Sequence, residues 1–328
     1  MSKKSNKSEV KTVEKSELEN KVVLTFSTHK PGNYEKVNWQ KLTEAEDGSE
    51  TGKLALQDAS MLTTGRKLLC SKEFQAIVNF QQSLYSRIAS NTKGKAIKTF
   101  IKEGFYFIEP EQVADIAEIF ETAKEQQKEL VEKFLAVYES QIAEAEEKYK
   151  GGTMFRRSDY RTPEDMRSRF SIEYAFLKFD ISPSLPPEIA EREAIKLREA
   201  YKKSETLIVQ CLTESFEELL SGIQDKLAPG TDGKVKAFHK TLFDDLAEFM
   251  SNFNSRNLVN DKDLGALVAK ANGILASVRG DKVQDKALVV KSSDELREST
   301  RAQFQAIQEA IEKDIKPKLG RAFNFDLD

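Results

Sequence analysis

The sequence predicts a mainly α fold: an elongated helical bundle with a long antiparallel, coiled-coil-like hairpin and a small two-stranded β element near the N-terminus. Three observations predict it. No Gly or Pro occurs between Glu111 and Lys150. A second long amphipathic stretch starts at Pro186-Pro187 and runs to about Leu227. Charged residues make up 32% of the 328-residue chain and hydrophobic ones 39%, with a formal net charge of −3 and only 15 Gly. Globular domains average about 45–50% apolar and about 25% charged residues. Low apolar content with nearly balanced charge suits solvated helix faces, and scarce Gly argues against phosphate loops and tight catalytic turns.

Residues 1–20 alternate Lys, Ser and Glu with little that can be buried, so they read as a disordered tail. Residues 21–110 read as an N-terminal α(+β) region. Val22-Val23-Leu24-Thr25-Phe26 is the first strand, ending near Pro31-Gly32. Residues 54–102 read as helices, with Phe74, Ile77, Val78, Leu84, Tyr85 and Ile88 at helical spacing and Asn91-Thr92-Lys93-Gly94 as an interruption. Phe105-Tyr106-Phe107-Ile108 is the second strand. It is the available partner for 22–26, since a lone strand is not stable.

The hairpin spans 111–228 with its tip at 151–186. In its first arm Val113, Phe120, Gln127, Phe134 and Gln141 are seven apart, and Ile116, Ala123, Leu130, Val137 and Glu144 form the interleaved row. That 3-4 alternation is a heptad pattern. About 40 residues at about 1.5 Å rise give roughly 60 Å of helix. Gly151-Gly152 supplies the stop. In the second arm Ile189, Ala194, Leu197, Tyr201, Leu207, Ile208, Cys211, Leu212, Phe216, Leu219 and Ile223 form the stripe. A C-terminal helical bundle, 229–320, holds helices at about 233–256, 261–279 and 293–316. Ser293 marks the last start, and Pro317 with Gly320 its end. Residues 321–328 are a tail.

Several function classes are disfavoured. Cys70 and Cys211 cannot build a disulfide framework, and they read as two small buried thiols. The two His, His29 and His239, show no metal-ligand spacing with them, so no metal site and no cofactor is expected. No run approaches a membrane span and no apolar signal core opens the sequence, so a cytoplasmic protein is expected. Carboxylates lie on solvated faces; Glu144 is the main acid on an apolar stripe. No GxSxG or HExxH motif occurs, so no enzyme is expected and no catalytic residue is assigned. Gly65-Arg66-Lys67 reads as a solvated basic turn, without the spacing of a nucleotide loop.

The connector carries the candidate site. Phe155, Arg156, Arg157, Tyr160, Arg161, Arg167, Arg169 and Phe170 combine arginine with aromatics, with a short helix from about Glu164 to Phe176. Such residues dominate protein-binding hot spots and also suit base stacking with phosphate contacts. The plainer reading is a small aromatic core whose arginines pair with Asp159, Glu164 and Asp165. Nearby acids count against phosphate binding. The tail Phe323, Phe325, Asp326, Leu327 and Asp328 alternates apolar and polar residues. It reads either as a docking peptide for a partner's sheet edge or as an end packed on its own bundle.

Certain stretches carry a resemblance. Thr64-Gly65-Arg66-Lys67-Leu68 precedes a helical segment, and Lys102-Glu103-Gly104-Phe105-Tyr106-Phe107-Ile108 follows it. The long helix then includes Phe134-Leu135-Ala136-Val137-Tyr138. Beyond it stand Arg167-Ser168-Arg169-Phe170 and Tyr174-Ala175-Phe176. Over about 55–220 this resembles a bacterial and phage family of unknown function, often encoded beside MoxR-type AAA+ ATPases and von Willebrand A proteins. The resemblance implies a companion of an ATPase and transfers no catalytic residue. The resulting expectation is a non-enzymatic adaptor or scaffold that binds a protein partner through the hairpin tip. The alternatives are a nucleic-acid-binding accessory protein or a self-assembling, phage-type structural component; a homo-oligomer is compatible with either hairpin pairing.

Overall fold

The structure, a computed structural model, describes residues 16–32, 34–36, 65–67, 69, 71–148, 157–229, 236 and 240–323. The chain is mainly α-helical. Its strands are β1 (Val22–His29), β2 (Tyr34–Lys36), β3 (Gly65–Lys67), β4 (Ile97–Lys98), β5 (Phe105–Ile108) and β6 (Ser171–Leu177). Its helices are α1 (Lys72–Ala89), α2 (Val113–Lys148), α3 (Pro163–Ser168), α4 (Pro187–Leu227), α5 (Asp244–Arg256), α6 (Lys262–Ser277), α7 (Val283–Ser292), α8 (Asp294–Ala310) and α9 (Lys316–Phe323).

The strand pairing expected from the sequence is present and belongs to a larger sheet. β1 runs antiparallel to β5 with Val22 opposite Ile108 and Thr25 opposite Phe105. β4 pairs with β5 on its other side, and the four-stranded order is β4-β5-β1-β6. β4 occupies two residues of a stretch that the sequence assigns to helix. β6 replaces the second half of the helix expected over 164–176. Its residues Ser171-Ile-Glu-Tyr-Ala-Phe-Leu177 alternate in exposure with a period of two, which a strand satisfies and a helix does not. Gly65-Arg66-Lys67 is a strand paired with Tyr34–Lys36 rather than a free turn.

Two compact units form, each discontinuous in sequence. One comprises residues 1–25, 87–113 and 176–328. Its core is built on the C-terminal two thirds of α4, where Tyr201, Ile208, Leu212, Phe216, Leu220 and Ile223 are buried. Phe249 of α5 stacks on Phe216 with ring centroids 5.5 Å apart, and Phe304 of α8 meets Phe243 at 6.4 Å. Ile189 and Ile195, at the start of α4, are exposed. The stripe read along the whole helix is therefore fully buried only from Tyr201 onward, with Leu197 half-buried against the same core. Leu18 is fully buried here, on a 3-10 turn (Glu17–Asn20) capped by the Ser16 hydroxyl. Ordering thus reaches back into the segment that composition marks as disordered, because one leucine finds a core. Helix α7 falls in a stretch where no helix is expected from the sequence. It buries only Ala287 and Val290, too short a stripe to stand out. The last helix does not stop at Pro317. A π-turn, Ile311–Ile315, with the Lys316 N–H donating to the Ile311 carbonyl, lets the helix continue as α9. The wider turn accommodates a proline that would clash in an unbroken α-helix.

The other unit comprises residues 26–86 and 114–175. Its core joins Leu69, Phe74, Ile77, Val131, Phe134, Tyr138, Ile142 and Met166. The buried positions of α2 are Ile116, Phe120, Ala123, Gln127, Val131, Phe134, Tyr138 and Ile142. Their spacing runs 4-3-4 from 116 to 127 and 4-3-4 again from 127 to 138. This is an eleven-residue period, about 3.67 per turn, which keeps a stripe on one face of a nearly straight helix. The heptad rows of the sequence follow it as far as Gln127; beyond that residue only Phe134 of the two rows stays on the buried stripe. Leu130 and Val137 are only half-buried, and Glu144 faces solvent. From Val131 on, the buried positions of α2 belong to the core of this unit, and the buried apolar positions of α4 to the core of the other.

Candidate functional site

The site region lies in the second unit, on the segment 157–170. Phe155 and Arg156 lie outside the described residues. Arg157 opens a short 3-10 turn, Arg157–Asp159. α3 follows, with Thr162 as its N-cap accepting from the Asp165 N–H and Pro163 at the first position. Pro163 presets the backbone, and the threonine satisfies one of the free N–H groups at the helix start.

The aromatic part is core. Phe170 lies 6.4 Å from Phe74 and 6.0 Å from Phe134, both near edge-on. Tyr160 is half-buried against the same cluster, and Met166 is buried in it. Tyr138 donates its hydroxyl to the Arg161 carbonyl at 3.1 Å, tying α2 to the connector. Burial pushes the Tyr138 phenol pKa upward, partly offset by that hydrogen bond.

The arginines form the solvent side. Arg167 donates from Nε and Nη2 to the two oxygens of Glu132, at 2.8 and 3.0 Å. Arg157 donates from Nη2 to both oxygens of Glu139, at 3.2 and 2.8 Å. Arg161 and Arg169 converge on Asp165 at 3.0 and 3.3 Å. The hydrogen bond from Arg167 holds the Glu132 carboxyl below its usual range, and those from Arg161 and Arg169 do the same for Asp165. Every group in these pairs remains 39–53% exposed. In water such pairs contribute little stability; their consequence is geometric, since they fix where the guanidinium planes lie.

The partner acids expected from local sequence were Asp159, Glu164 and Asp165. Asp165 serves Arg161 and Arg169, and the acids for Arg157 and Arg167 come from α2. Glu132 and Glu139 are seven residues apart on the outer face of that helix, about 10 Å along its axis. Their outward-facing position could have been read from the stripe; which arginines they meet depends on the fold. Of the tail residues, Phe323 ends α9, while Phe325, Asp326, Leu327 and Asp328 lie outside the described residues.

Among the described residues no group of three or more His, Cys, Asp or Glu could hold a metal ion, and no helix is long and apolar enough to cross a membrane. No family model, curated protein or solved structure matches the chain.

Proposed function

We propose that the chain is a non-enzymatic helical adaptor that binds a protein partner through the arginine face made by Arg157, Arg161, Arg167 and Arg169. The observation that carries this reading is the forked hydrogen bonding of Arg167 to Glu132 on a half-exposed surface. A free surface arginine loses rotamer freedom when a partner immobilises it. An arginine already held by a carboxylate has less to lose, so the same contact binds more tightly. Arginines beside a packed aromatic cluster are also the composition of interface hot spots. Acids are interleaved with the arginines, which favours a protein surface of mixed charge over a polyphosphate. The resemblance suggests a MoxR-type AAA+ ring, in the cytoplasm, as the class of partner. The reading does not require α2 and α4 to pair as a hairpin.

The test is charge exchange. Glu132→Arg with Arg167→Glu keeps the internal pair and reverses what the surface presents. The doubly exchanged chain should fold with unchanged helix content while partner recovery falls about tenfold or more, the scale of a hot-spot loss. Undiminished recovery would remove this face as the interface.

A further inference from the structure

Among the described residues, Phe100 and Asn260 are the non-glycine residues with left-handed backbone, at φ 55° and 52°. Asparagine tolerates that region; a bulky residue there is strained. Phe100 stands at the tip of the β4–β5 hairpin, just past the pairing of Lys98 with Tyr106. The second left-handed position of the same tip, at φ 79°, is Gly104, which adopts it freely. Strain of this kind persists only where the surroundings impose it. Thr99, which is fully buried, imposes it. Its hydroxyl donates to the Lys102 carbonyl at 3.2 Å and accepts from the Ile101 and Lys102 N–H groups at 3.3 and 3.4 Å. Its N–H donates to the Phe105 carbonyl at 3.1 Å, and its carbonyl accepts from the Ser204 hydroxyl of α4 at 2.5 Å. The neighbouring Ile101 packs on the core, whereas Phe100 belongs to neither core and is 38% exposed. Backbone preference and burial thus both argue for glycine at this position. A ring that the fold holds at a strained tip without using it points outward.

The surroundings of the ring are cationic. Residues 93–103 carry four lysines against one acid, Glu103, in a chain of net charge −3. Lys98 and Lys102, two residues to either side of Phe100, are exposed. The Lys102 ammonium lies 5.2 Å from the Phe105 ring centroid. Lys202 and Lys203, also exposed, immediately precede the Ser204 that holds Thr99. Among the described residues no acid forms an ion pair with Lys98, Lys102, Lys202 or Lys203.

We propose that the β4–β5 tip binds single-stranded nucleic acid, with a base stacked on Phe100 and the flanking phosphates on Lys98 and Lys102. A nucleotide matches what the tip presents: a flat apolar face the size of one ring, with an anion on either side. The strand must be single, because in a duplex the base faces are already stacked. One ring is enough for one base. It is too little apolar surface to hold a bilayer, where a single anchor binds only marginally. The site is separate from the arginine face and does not depend on it.

The test measures fluorescence anisotropy of a labelled strand of twelve deoxythymidines on the full chain in 50 mM salt, with thermal melts of each variant. The wild type should bind saturably, with a log–log salt slope of about −2, as for three phosphate contacts to a single strand. Phe100→Gly should melt no lower than the wild type and bind at least fivefold more weakly, the lower end of a lost stack. Phe100→Trp should restore the affinity. Lys98→Gln with Lys102→Gln should flatten the slope by about 1. The Glu132→Arg/Arg167→Glu exchange should leave this binding unchanged. Absence of saturable binding at 50 mM salt, a Phe100→Gly chain that binds as well as the wild type or melts several degrees lower, or preference for the duplex or for phosphatidylserine vesicles over the single strand would each overturn the proposal.

Discussion

Tyr201 shows how one side chain links packing to a measurable pH response. Its ring stacks on Phe107 at 6.0 Å and its hydroxyl donates to the Phe179 carbonyl at 3.2 Å. Burial, with Glu19 and Asp180 adding to it, pushes its pKa up to about 12 from 10.0. A pKa raised on folding means that the stability it confers is complete below pH 10 and is lost as pH rises towards 12. At about 1.4 kcal/mol per unit the loss approaches about 2–3 kcal/mol. Chemical denaturation of the wild type and Tyr201→Phe at pH 8 and pH 11 should show the wild type losing more stability than the variant. Equal losses would mean that the phenol is not shielded. At the same scale, Cys211 reads from sequence as a small buried thiol, and the structure leaves it only half-buried; Cys70 lies outside the described residues.

At the scale of elements, helix α2 carries a buried polar contact in its stripe. Gln127 is buried and accepts from Gln81 of α1 at 2.8 Å, while Gln81 also donates to the His29 carbonyl at 3.0 Å. Gln127→Leu removes one partner and leaves a buried amide less satisfied, so it should cost about 1–2 kcal/mol. The double change with Gln81→Leu should recover part of that loss, because neither amide is left half-paired by the other, while the His29 carbonyl gives up its donor. Two single losses that simply add would contradict a coupled pair. Helix existence was legible along this chain because long amphipathic runs with clear starts, such as Ser293 accepting from the Leu296 N–H, reflect local chemistry. Strand β6 and helix α7 were less legible, since a seven-residue alternation and a two-residue buried stripe are weak signals. The 11-residue period of α2 was masked because Gln127 fits both repeats, so the two diverge only after it. For the site, the arginines and Phe170 were readable as a group; the carboxylates from α2 that orient them were not.

At the scale of the whole molecule, the two units carry separate cores, one around Phe134 and Tyr138 and one around Phe216 and Phe249. Phe134→Ala should destabilise by about 3–5 kcal/mol. Hydrogen exchange should then rise first in α2 and in residues 72–86, before it rises in residues 201–227 of α4. A uniform increase across both sets would mean that the cores open as one. The opening imbalance of composition finds its place at this scale: many acids and bases lie on the outer faces of long helices, and two of those acids, Glu139 and Glu132 of α2, fix Arg157 and Arg167 of the arginine face.

The most direct measurement is partner recovery by the full-length chain and by its Glu132→Arg/Arg167→Glu exchange, with circular dichroism on both. The adaptor reading predicts equal folding and a loss of binding of about tenfold or more. Equal folding with equal binding would contradict it.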